Sequence, residues 1–197
     1  MKFKIFSTEI NVSFFFMAVL TLALIIDKTG FILPVFLATA FHEVGHLAAM
    51  FVLHCQPKKI NLIPGSIQIV SGFGVKTQGE FFILLSGPLS NLLFAALAFV
   101  LYYFLRLPYL ISFSAVNLLI FAFNMLPVRG LDGGSILYLT LSKILSNSKC
   151  EVIVDILSLL CGVLAVFLGV SGILMGKINL SLAVLGLYVI IGVIIKM

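Results

Sequence analysis

The sequence predicts an all-α polytopic membrane protein with six transmembrane helices and a short membrane-dipping β-hairpin between helices two and three. Three observations predict it. Of 197 residues, 62% are hydrophobic and 10% charged, against about a quarter charged in a soluble domain, and the mean hydropathy is +1.27. Six apolar runs, at 10–26, 31–54, 81–105, 108–126, 152–175 and 178–196, each come close to the ~20 residues that cross a bilayer. The basic residues stand between these runs, the pattern of loop charges flanking spans and not of a nucleic-acid-binding surface.

The first run follows Lys2 and Lys4 and resembles a signal peptide. No small-residue cleavage site follows it; Asp27-Lys28-Thr29-Gly30 and another apolar run do. The expectation is therefore a retained first span. The second run carries the polar residues discussed below. Segment 56–79 is too apolar for an ordinary cytosolic loop. Pro64-Gly65 is a turn signal, and Ile67-Gln68-Ile69 alternates as a strand does. Two short strands at membrane depth are expected there, covered by protein or lining a wet cavity; a greasy connector without structure is the alternative. Tight links, Arg106-Leu107-Pro108 and Gly176-Lys177, join spans three and four and spans five and six. Ser135–Leu145 reads as a short amphipathic helix after span four. The expectation is one compact membrane domain with no space for a PDZ or CBS domain.

With the N-terminus cytoplasmic, nine basic residues lie inside: Lys2, Lys4, Lys58, Lys59, Lys76, Arg129, Lys143, Lys149 and Lys196. Lys28, Arg106 and Lys177, three in all, lie outside. The positive-inside rule then places both termini in the cytoplasm of a multi-pass cell-membrane protein. Cys55, Cys150 and Cys161 are an odd number with no paired spacing and read as free thiols.

Span two contains His42-Glu43-Val44-Gly45-His46. Residues four apart share a helix face, so both imidazoles can reach one Zn²⁺, with Glu43 placed to take a proton from water. Glu43 is the sole acidic residue between Lys28 and Gly79. An intramembrane carboxylate costs at least ~2.5–3.5 kcal/mol on insertion scales and marks function by default; a polar pair gluing helices is the plainer reading. Zinc needs a third protein ligand, leaving a fourth position open. Asp132, Asp155, Glu80 and His54 are candidates. Asp132 is favoured by its Gly-rich turn on the same side of the membrane, but on spacing alone it reads equally well as a helix N-cap.

His42–His46, Ser86-Gly87-Pro88-Leu89-Ser90-Asn91, and Asn124 with Pro127 and Asp132-Gly133 occur in that order. Together they resemble the site-2 protease family of intramembrane zinc metalloproteases, most closely its sporulation-type branch. The resemblance covers the membrane core. It implies that one zinc is held by His42, His46 and Asp132, that Glu43 is the catalytic general base, and that Asn124 and Pro127 lie near substrate. One departure is visible. Many members have prolines between positions 127 and 132, where this chain has Arg129-Gly130.

The expected function is a zinc-dependent endopeptidase acting on membrane-embedded or membrane-adjacent protein segments. A strand containing Ile67 and Ile69 would hold an unwound substrate through its backbone. Two rivals remain: a metal transporter using the histidines as a transit site, and a scaffold retaining an old site. Spans five and six offer a transporter only Asp155, Ser158, Ser171 and Ser181.

Overall fold

The structure is a computed structural model and describes residues 2–5, 8–55, 57–63, 66–71, 77–175 and 180–196. The chain divides into two compact units, Met1–Phe123 and Asn124–Met197.

The first unit begins with strands β1 (Lys2–Ile5) and β2 (Thr8–Val12), followed by helix α1 (Phe14–Ile26) and α2 (Ile32–Val52). Asp27 links these helices. Its carboxylate accepts from the Thr29 hydroxyl and the amides of Thr29, Gly30 and Ile32, so it closes the link and ties off the first amide of α2. These hydrogen bonds, that of the Thr29 hydroxyl foremost, hold its carboxyl below the usual value. Helix α2 stops without a glycine. His54 takes the left-handed conformation at φ 54°, its amide donates to Phe51 O (3.1 Å) and that of Cys55 to Met50 O (2.8 Å). This is a Schellman stop, with histidine in a conformation it adopts more readily than most side chains.

Strands β3 (Pro57–Ile63) and β4 (Ser66–Ser71) come next, then α3 (Thr77–Leu105) and α4 (Pro108–Asn124). β3 and β4 pair antiparallel, with Ile60 opposite Ile69 and Leu62 opposite Ile67. The expected Pro64-Gly65 turn lies outside the described residues. The sheet is larger than expected, with the order β1-β2-β3-β4. β2 joins β3 in parallel, Ile10 beside Ile60, and β1 pairs with β2 antiparallel. The first apolar run therefore starts as strand, and its helix begins at Phe14 rather than near residue 10. The physical reason is period: Lys2–Ile5 and residues 9–12 alternate polar and apolar side chains, whereas the run from Phe14 is apolar almost all round.

The second unit holds a turn at 125–131, α5 (Asp132–Leu141), α6 (Asn147–Leu174) and α7 (Leu180–Lys196). Helix α5 starts three residues before the expected Ser135. Close glycine contacts pack α6 on α7. A Cβ at Gly186 would lie 2.5 Å from Gly162 O, and one at Gly169 would lie 2.6 Å from the Ala183 amide. Small residues allow such backbone approach where lipid supplies no hydrophobic drive. The expected link at Gly176-Lys177 lies outside the described residues.

Among the described residues three helices are long and apolar enough to cross a membrane: Ile32–Val52, Gly79–Leu105 and Asn147–Ile173. Shorter apolar helices cover Met17–Ile26, Pro108–Asn124 and Leu180–Ile195. The burial pattern is inverted relative to a soluble protein. Phe14, Phe104, Tyr188 and Ile195 are more than 70% exposed, while the largest fully buried side chains include Asn91, Asn117 and Ser158. Apolar outside and hydrogen-bonded polar inside is the arrangement lipid selects. The chain is a membrane protein.

Candidate metal centre

The first unit brings His42 and His46 together on the buried face of α2, at 5% and 8% exposure. One helical turn separates them, and their Nε2 atoms lie 3.1 Å apart.

The rest of each ring decides what those atoms can do. His46 Nδ1 lies 2.7 Å from Ile83 O. A carbonyl can only accept, so this nitrogen carries the hydrogen, and in the neutral ring Nε2 then carries the lone pair. His42 Nδ1 lies 2.7 Å from Asn91 Oδ1. That amide is oriented in turn: its Nδ2 donates to Ala38 O (2.8 Å) and to Asn117 Oδ1 (3.0 Å). Asn117 is oriented by donating from its own Nδ2 to Phe113 O (2.9 Å). The chain of donors ends on a backbone carbonyl, so Asn91 must accept from His42, and His42 is also the Nδ1–H tautomer. With a hydrogen on each Nδ1, the neutral forms of the two rings turn their Nε2 lone pairs toward one place, 3.1 Å apart. Tetrahedral zinc ligands at ~2.0–2.1 Å stand about 3.3 Å apart. The donor set fits a shared cation, with outer hydrogen bonds of the kind that orient metal-binding histidines.

The local sequence explains why the rings fit. Helix α3 crosses α2 at glycines. A Cβ at Gly45 would meet Ser86 O at 2.6 Å, and one at Gly87 would meet His46 Nε2 at 2.3 Å. Gly87 therefore leaves the space the imidazole fills. Pro88, inside α3, removes the amide that would pair with Leu84 O. One residue earlier, Ile83 O serves His46. Ser90 Oγ donates to Phe41 O at 2.8 Å, and Phe41 stacks on Phe94 with ring centroids 4.0 Å apart. Asn91 and Asn117 are both fully buried. The Gly-Pro-x-x-Asn segment is thus a seat for two imidazoles. Asn117 belongs to no motif; its signal was a lone amide inside an apolar span. Glu43 lies on the same helix, half-buried beside the first histidine.

The second unit carries Asn124, Pro127, Asp132 and Asp155. Asp132 is half-buried in the first turn of α5. Leu131 is the N-cap, so the N-cap reading of Asp132 does not hold. The carboxylate instead sits where the helix dipole favours negative charge. Gly133 and Gly134 let the preceding turn lie against this helix start: a Cβ at Gly133 would meet Met125 O at 2.4 Å, and one at Gly134 Val128 O at 2.2 Å. Asn124 ends α4, and Pro127 is half-buried in the turn. Asp155 is engaged by Arg129. Of the remaining candidates, Glu80 is exposed in the first turn of α3 and His54 is exposed beyond the end of α2. Ile67 and Ile69 stand on β4, opposite Leu62 and Ile60 of β3.

No family model matches the chain. It is 29% identical over 147 residues to stage IV sporulation protein FB of Bacillus subtilis, covering 73% of this chain and 51% of that protein. It is 27% identical over 146 residues to a zinc metalloprotease of Methanocaldococcus jannaschii, covering 68% of this chain and 42% of that protein. The chain spans about half the length of the curated relatives it matches. Among solved structures, a site-2 protease from Methanocaldococcus jannaschii matches with a TM-score of 0.71 at 24% identity, over 98% of this chain and 93% of that one. The last likeness is one of fold. These findings support the resemblance to site-2 proteases and their sporulation-type branch.

Proposed function

From the likeness to site-2 proteases as premise, we propose that this chain is an intramembrane zinc endopeptidase that hydrolyses peptide bonds in or near transmembrane segments of membrane-bound substrate proteins. The observation that carries the reading is the buried pair of imidazoles, both fixed as Nδ1–H tautomers with Nε2 atoms 3.1 Å apart. His42 and His46 would hold one zinc and Asp132 would be its third protein ligand. When bound, the ion supplies Lewis-acid activation of water and of the scissile carbonyl. Glu43 takes a proton from the attacking water and returns it to the leaving amine. Asn124 and Pro127 lie on the substrate side, and β4, with Ile67 and Ile69, pairs with the unwound substrate backbone. All six apolar helices span the cell membrane, with both termini and the site's opening in the cytoplasm. A role in sporulation is the branch's implication for this chain.

The test is co-expression with candidate single-span membrane proteins, read by fragment size and by zinc content per chain. Glu43→Gln should keep its zinc and lose cleavage, because it removes the base and no ligand. A Glu43→Gln chain that still cuts, or a wild type that holds no zinc, refutes the reading. The transporter rival gains no support from α6, where Ser158 donates to Val154 O and Asp155 binds Arg129.

A further inference from the structure

The turn that delivers Asp132 has a weak point and a clasp beside it. After Pro127 no further proline stiffens it. Gly130 takes φ +89°, with open space around a notional Cβ, and the backbone bond that spans it runs from the Leu131 amide to Val128 O at 3.0 Å, within the turn itself and not to a neighbouring helix. Arg129, the residue before that glycine, is anchored twice to α6. Its amide donates to Ser158 Oγ at 2.8 Å, and that hydroxyl donates to Val154 O at 2.7 Å. Its guanidinium Nε donates to Asp155 Oδ1 in an ion pair whose side chains are 20% and 13% exposed. Glu151, the other acid near Arg129, is 4.0 Å away and 58% exposed. On the turn's other side, Val128 is buried at 4% exposure against the α5 glycines.

We propose that Arg129 and Asp155 are positioning residues that clamp the 125–131 turn to α6 and so fix where Asp132 presents its carboxylate to the metal. The inference rests on Asp132 being the third zinc ligand and extends that reading to residues outside the ligand set. A half-buried ion pair suits the task. One partner alone would be a charge left with little water, so the pair has a single low-energy arrangement. The planar guanidinium holds that arrangement in direction as well as distance.

The test is chelator-driven zinc release from the full chain in nanodiscs. Arg129→Met and Asp155→Asn should each speed release roughly tenfold, the lower end of what loss of an outer orienting group costs a metal site. Arg129→Lys, which keeps the charge, should recover most of the difference. The double variant should release no faster than either single one, since all three break one contact. If Arg129→Met does not accumulate in the membrane, Asp155→Asn, which keeps the shape and removes the charge, carries the test. Wild-type release from Asp155→Asn, with fast release from Asp132→Ala, overturns the clamp. Wild-type release from Asp132→Ala overturns instead the reading of Asp132 as a ligand.

Discussion

Residue identities around the histidines are set by hydrogen-bond direction more than by size. The sequence showed the pair and Glu43 directly, because four-residue spacing on a helix and a lone intramembrane carboxylate are local signals. It did not show which ring nitrogen carries the hydrogen. That depends on Asn91 and Asn117, 49 and 26 residues further along successive links, and no local pattern encodes such reach. Asn117→Leu offers a direct check. It removes the acceptor of one N–H of the fully buried Asn91, costing about 1–3 kcal/mol, and it frees Asn91 to turn. Zinc affinity should fall by roughly 10–100-fold although residue 117 touches neither histidine among the described contacts. Unchanged affinity by competition with a calibrated chelator would show that the relay does not orient His42.

Elements were legible where period was unambiguous. The long apolar helices followed from run length, and the alternation at Ile67–Ile69 marked a strand. The N-terminal strands were missed because two lysines before an apolar run also describe a signal-like span. The partner that favours the strand, β3, lies about 50 residues away in the chain. If β4 holds substrate as proposed, the backbone is the binding group. Ile69→Pro removes an amide from that strand while Ile69→Ala keeps it. The proline variant should cleave at least several-fold more slowly than the alanine variant at equal zinc content. Equal rates would remove β4 from substrate binding.

For the whole molecule, composition settled the solvent, and the exposed phenylalanines and buried asparagines agree with it. Topology rests on the nine-to-three division of basic residues. In a chain cleared of its three native thiols, a cysteine at position 2 should resist an impermeant reagent applied from outside, and one at position 28 should react. The opposite pattern would invert the orientation and put the site's opening on the other face. The Arg129–Asp155 pairing was out of reach of such reasoning. Asp155 read as one of four candidate ligands, near the start of span five, and only the fold shows which cation claims it.

The amide relay also sets an order in time. His42 leaves the ribosome before Asn91, and Asn91 before Asn117. At ~5–20 residues per second, synthesis from the first to the last takes roughly 4 to 15 s. During that interval the chain already carries both histidines on α2, but the relay that orients His42 is incomplete. A chain ended after α2 should therefore capture zinc more weakly than one ended after α4, and equal capture by the two would show that the histidines orient themselves. On this account the fourth helix completes the histidine seat and α5 then supplies Asp132, so the nascent protein is protected from acquiring a reactive centre before the structure that confines it has been made.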